Sequence, residues 1–260
     1  MPSASRLVRS DRARRLGRIA RAGLLRTELA YRVRPRSTYA VRVGAGTVHL
    51  SHEDYAVDRA SLSFVVVDEA YTGDYRGALV VDIGAHKGYY GAYALHRGAR
   101  AVISYEPEAA NFALLERAAG GVRDRGGDWY TCRSAVGAES GEADLHVMGA
   151  SWGHALDPPD AFAEYEVAVE RVRVEAVGDV LADAVERARG ARVIVKVNIE
   201  GGECSTILGT PPCAWVGVDE VFVETHPWAT CGANELTRHL GPAGLTSAAS
   251  PHRAVLHLTR

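Results

Sequence analysis

The hydrophobic pattern of the chain changes character at residue 78. From there, short unbroken apolar runs alternate with stretches whose apolar positions recur at helical spacing. The runs at 78–81, 101–105, 192–197 and 219–223 predict strands covered on both faces. Further strands are expected at 128–136, 142–148 and 165–174, with a closing strand at 255–258. Helical patterns fall at 89–96, after Glu106, at 180–188, from 204 and at 234–240. Strand–helix alternation of this kind predicts an α/β domain with a doubly wound, mostly parallel sheet and right-handed crossovers. Ahead of it, 39–50 predicts a β-hairpin around Gly44-Ala45-Gly46, and 58–67 a helix or buried segment. Two irregular stretches stand out. The aromatic and polar loop 69–73 is placed to reach over a ligand, although a plain connection explains it as well. The loop 149–163, with Trp152, His154 and Pro158-Pro159, is a place for substrate contacts or a surface excursion.

With 260 residues, the chain divides into a basic arm, 1–36, and one domain, 37–260. The arm holds 11 arginines against Asp11 and Glu28, a balance of 11 − 2 = +9. Leu16, Ile19, Ala20, Gly23 and Leu24 are spaced as on one helical face. Packing on the domain or a partner chain, a loose tail, and contact with nucleic acid or an anionic surface all fit it. It also has the arginine-rich, acid-poor look of a transit peptide, and no secretory signal. No apolar run approaches the ~20 residues of a membrane span. The four cysteines form neither a C-x-x-C pair nor a Cys/His cluster, so no zinc site, no disulfide framework and a cytoplasmic setting are expected.

The chemistry gathers at the turn after the first core strand, Asp82-Ile83-Gly84-Ala85-His86-Lys87-Gly88. A strand, a glycine turn and a helix in that order make a nucleotide-type cofactor site. Gly84, Gly88 and Gly91 are not spaced as G-x-G-x-x-G, because His86 stands where the second glycine belongs. A pyrophosphate is therefore disfavoured. Asp82 suits a cation, and S-adenosylmethionine carries an ammonium and a sulfonium without phosphate. Glu106 follows Gly84 by 106 − 84 = 22 residues, where a ribose-binding carboxylate belongs. Ser134 would come near the adenine end.

Ligands of a doubly wound sheet bind at the carboxyl ends of its strands. Besides Asp82, Glu106 and Ser134, those ends carry Asn198 with Glu200 and Glu224 with His226. Lys196 lies inside an apolar strand and needs a carboxylate partner, for which Glu224 and Glu200 are at hand. Glu203 fits a helix-start cap. His226 and Glu200 are the candidate general bases, with Lys196 orienting the carboxylates. A divalent cation on Glu200, Glu224 and His226 is conceivable, but no metal is assigned.

The segments VVDIGAHKGYYG, SYEPEAANFALLERA, SAVG, VKVNIEGGECSTILG and VFVETH, in this order, resemble the FkbM-type S-adenosylmethionine-dependent methyltransferases over about 62–240. The resemblance implies a seven-stranded class I (Rossmann-like) fold whose last strands form an antiparallel edge. It implies methyl transfer to a hydroxyl of a sugar, glycan or natural product. Carried over by position, Asp82, Gly84 and Gly88 match the family's cofactor loop and Glu106 its ribose acid. Ala85, His86, Ser134 and Asn198 join the expected cofactor site by their places at the turn and strand ends, and His226, Glu200 and Lys196 stay the catalytic candidates. Asn198 departs from the aspartate usual in the family, which leaves Glu200 as the surviving acid and an altered substrate or reduced activity open. The rivals are an RNA or protein methyltransferase gripping its substrate with the arm, and a non-catalytic cofactor-binding module. A small-molecule or glycan acceptor is the expected partner, with nucleic acid disfavoured and a homo-oligomer open.

Overall fold

The computed structural model describes residues 17–19, 23–250 and 252–260. Of the arm's five spaced positions, Leu16 and Ala20 lie outside them. Helix α1 (Leu24–Val33) leads into a hairpin of β1 (Thr38–Val43) and β2 (Gly46–Ser51), then α2 (Tyr55–Val66). Tyr31 of α1 stacks on Tyr55 of α2 with ring centroids 4.0 Å apart, tying the arm's helix to the domain.

The main sheet is built from β3 (Leu79–Ile83), β4 (Ala101–Tyr105), β5 (Asp128–Cys132), β9 (Val193–Val197), β10 (Glu220–Glu224), β11 (Thr246–Ser247) and β12 (Val255–Thr259). Its order is β11-β12-β10-β9-β3-β4-β5. β3 pairs in parallel with both β4 and β9, and β9 in parallel with β10. β12 runs antiparallel to β10 and β11. This is the doubly wound, seven-stranded sheet with an antiparallel edge that the resemblance implies.

Side chains alternate across each strand, so each strand feeds two cores. Val80, Val102, Ile194 and Phe222 face one layer, shared with α2, α3 (Tyr89–His96) and α4 (Ala109–Arg123). Val81, Ile103, Val195 and Val223 face the other, covered by α5 (Val177–Ala188) and α7 (Ala233–Leu240). Burial on both faces explains the unbroken apolar runs.

Two expectations need correction. The single strand at 128–136 is two strands. β5 ends at Cys132, and after Arg133-Ser134 the chain leaves the sheet edge as β6 (Ala135–Gly137). β6 joins β7 (Gly141–Met148) and β8 (Glu166–Ala176) in a separate three-stranded sheet of order β6-β8-β7. No glycine or proline marks the break; the Ser134 hydroxyl, donating to Glu175 of β8 at 2.9 Å, pins it. The cysteines are not all free thiols either. Cys204, in α6 (Glu203–Leu208), is bonded to Cys231 in the loop after β10. The two lie 27 residues apart, and only the docking of α6 beside that loop brings them together. The cysteines therefore do not point to a reducing compartment. Among the described residues, no helix is long and apolar enough to cross a membrane.

Candidate functional site

The strand order turns back on either side of β3, with β4 and β5 on one flank and β9 and β10 on the other. That switch point opens a crevice beyond the strands' carboxyl ends. A cavity of about 960 Å³ lies there, continuing between α2 and the small sheet. Gly84, Ala85, His86, Glu106, Ser134, Lys196, Asn198 and Glu200 all line it. Asp82, Gly88 and His226 do not.

The glycine turn is shaped by a close approach of backbones. Gly84 has φ 74°, and a Cβ there would lie 1.7 Å from the Asn198 carbonyl oxygen. His86 also takes a left-handed conformation, φ 51°, that non-glycine residues seldom hold. Its backbone N–H is thereby aimed at Glu106 Oε2, 2.8 Å away, while the Glu108 N–H reaches Oε1 at 3.0 Å. Burial pushes the Glu106 carboxyl up to about 7, against the opposing pull of these two donors. The His86 ring sits beside Ser151, Nε2 to Oγ 3.2 Å, in the loop after β7, and burial pushes its pKa well down. Loop 149–163 therefore does wall the cavity, through Ser151, Trp152 and His154.

Both lysines are structural pins. Lys87 is buried and bonds Asp58 of α2 at 2.6 Å and Ser151 at 3.1 Å. Lys196 does not pair with Glu224 or Glu200. Its Nζ lies 3.1 Å from Asp82 Oδ1, its register partner on β3, and donates to the Gly84 carbonyl at 2.6 Å. Asp82 is thus spent on Lys196, and burial raises its pKa against that attraction. Its carboxylate is buried beneath the turn and does not line the cavity.

His226 is clamped between two acids, Nε2 3.4 Å from Glu200 and Nδ1 3.4 Å from Glu203. Burial would lower its pKa, but the carboxylates outweigh it and carry the imidazole up to about 10. A ring protonated at neutral pH and set outside the cavity is poorly placed to act as a base. Glu203 does cap the turn, accepting the Ile199 and Gly201 N–H groups at 2.8 and 2.9 Å. Glu200, at φ 55°, keeps its place on the cavity wall, its pKa raised by burial and restrained by His226.

Sequence reasoning offered Glu224 as a partner for Lys196 or a ligand for a cation, and Tyr71 only as part of a loop reaching over a ligand; it did not pair the two. Both line the cavity. Glu224 Oε2 accepts the Tyr71 hydroxyl at 2.5 Å and the Asn198 side-chain amide at 2.8 Å. Asn198 Oδ1 is buried and has no partner. The polar strand end of β10 and the aromatic loop 69–73 were the signals for this pair. Among the described residues, no three His, Cys, Asp or Glu side chains are grouped to hold a metal ion.

No family model and no curated protein matches the chain. Among solved structures, it is similar to methyltransferase FkbM from Methylobacillus flagellatus, at 14% identity and TM-score 0.48, over 80% of this chain and 53% of that one. It thus spans about half the length of that protein. It is also similar to magnesium protoporphyrin IX methyltransferase from Synechocystis with bound SAM, at 13% identity and TM-score 0.37, over 80% of this chain and 79% of that one. The fold, by its own strand order, is of the class I methyltransferase type.

Proposed function

We propose that the protein is an S-adenosylmethionine-dependent methyltransferase acting on a hydroxyl oxygen. The observation that carries this reading is Glu106, held in the cavity wall by the His86 and Glu108 N–H groups with lone pairs left for a ribose diol. The rest of the cavity fits the same group. The Asn198 Oδ1, buried and unpartnered, offers an acceptor to an ammonium. His86 stands on the cavity wall where a pyrophosphate site would carry its second glycine. S-adenosylmethionine supplies an electrophilic methyl on sulfur; the protein's part is to align the acceptor and take its proton.

The cofactor half of the site uses Gly84, Ala85, His86, Glu106, Ser134 and Asn198. Asp82, Lys196 and Gly88 act one step back. Lys196 holds the Gly84 carbonyl, and Gly88, at φ 86°, starts α3 hard against Trp129 and Leu115. Of the two bases expected from sequence, Glu200 faces the cavity and His226 stands behind it as a counter-cation.

Calorimetric titration of the full chain with S-adenosylmethionine and with NAD tests the cofactor. Saturable binding of the first and none of the second is expected. Tight NAD binding, or indifference to both, overturns the reading.

A further inference from the structure

The cavity has a second end. Helix α2 runs along it from the glycine turn, where Asp58 meets Lys87, to a corner where Phe64 stands edge-to-face on Tyr71 with centroids 5.7 Å apart. The face α2 presents is Ala56, Val57, Ala60, Ser61, Phe64 and Val65, spaced i, i+1, i+4, i+5, i+8 and i+9. It carries no charge and one hydroxyl. The helix's charged groups are engaged elsewhere, Asp58 with Lys87 and Arg59 with Glu28. Tyr90 lines the cavity too, its ring 5.1 Å from that of Tyr71. Glu224 is the carboxylate that Tyr71 bonds at this corner; Glu200, also on the cavity wall, is held instead by His226. Both donors Glu224 receives, from Tyr71 and Asn198, reach Oε2, and neither engages Oε1.

We infer that this end seats an acceptor with an apolar, aromatic or alicyclic body and a hydroxyl, and that Glu224 takes the proton of that hydroxyl. The inference rests on the methyltransferase reading. A sugar would set several hydroxyls against the α2 wall, which offers them only Ser61, and a site loses affinity for each polar group it strips of water and leaves unpaired. A flat apolar body loses nothing there.

Asn198 matters to this assignment. An aspartate at 198 would set two carboxylates against each other, to share a proton or a cation. The amide instead donates to Glu224 and orients it. In the step itself, the acceptor oxygen attacks the methyl carbon and forms the O–C bond. The C–S bond breaks with its electron pair passing to sulfur. The hydroxyl proton goes to Glu224. The products are a methyl ether, S-adenosylhomocysteine and a protonated carboxyl.

The probes are 4-butylphenol and methyl α-D-glucopyranoside, titrated into the full chain saturated with S-adenosylhomocysteine. The phenol should bind at least tenfold more tightly than the glycoside. Ala60→Trp, which fills the apolar wall, should weaken the phenol at least tenfold. With S-adenosylmethionine, wild type should form 4-butylanisole, detected by mass spectrometry. Glu224→Gln should lower that rate by about 10²–10⁴-fold with the phenol's Kd moved less than threefold. Equal or tighter binding of the glycoside, or phenol binding indifferent to Ala60→Trp, overturns the acceptor class. Phenol binding without ether formation, or a Glu224→Gln rate equal to wild type, overturns the role of Glu224. Failure of S-adenosylhomocysteine itself to bind overturns the methyltransferase reading and this one with it; failure of the phenol alone overturns only this one.

Discussion

Lys196 and Asp82 face each other across adjacent parallel strands, in register, with Nζ 3.1 Å from Oδ1 and both side chains buried. An isolated charge here would be costly, and its partner's removal should be felt in full. Lys196→Met should destabilise the protein by about 3–5 kcal/mol. Adding Asp82→Asn should recover a large part of that loss. Urea unfolding of the two variants checks this; equal loss in both would mean that packing, not the charge, is at stake.

Gly84 is the tightest point of the turn. Gly84→Ala would drive a Cβ to 1.7 Å from the Asn198 carbonyl oxygen at φ 74°, so the turn and β9 must separate. Gly126→Ala is the control, with φ 79° and open space around its Cβ. The control should lose about 1 kcal/mol through strain alone. Gly84→Ala should lose more than that and should abolish binding of S-adenosylmethionine, read by thermal unfolding and calorimetry.

Glu106 sets a pH dependence. Its pKa is carried from 4.5 to about 7 in the folded protein, so the folded state holds the proton longer than the unfolded one. The ligand-free protein should lose stability as pH rises from about 4.5 through 7. A ribose diol prefers the ionised acceptor, so S-adenosylmethionine affinity should rise roughly tenfold between about pH 6 and 8, as one ionisation near 7 requires. Glu106→Gln should bind more weakly and show a flat profile.

His226 has the same sign of shift by another cause. Its pKa rises from 6.5 to about 10 because Glu200 and Glu203 hold the imidazolium. The stability it contributes is complete below 6.5 and is lost as pH climbs toward 10. His226→Gln should cost about 1–3 kcal/mol at pH 6 by leaving two acids short of a partner. The gap to wild type should close by pH 10, measured by denaturant unfolding across the range.

The bond between Cys204 and Cys231 closes a loop with a sequence separation of 27. Loop-closure entropy puts its removal at about 3–4 kcal/mol. The Cys204→Ser and Cys231→Ser pair, or reductant, should lower the unfolding midpoint accordingly. An unchanged midpoint would mean that the two thiols stay apart in solution.

The parallel sheet, the glycine turn and the acid 22 residues beyond it were legible in the sequence, because each is local. A strand buried on both faces must read as an apolar run, Gly84 follows from what the turn needs, and Glu106 stands at the strand tip where the proposed ribose contact places an acid. Which polar groups would meet was not legible. Lys196 could be seen to need an acid, but only strand order decides between Asp82 beside it in register and Glu224 or Glu200 beyond. The same holds for Cys204 with Cys231, and for Tyr71 and Asn198 converging on Glu224 from separations of 153 and 26 residues. Periodicity and spacing specify what each segment must bury. Partnership between distant side chains depends on how the segments dock, and that was left to the tertiary structure.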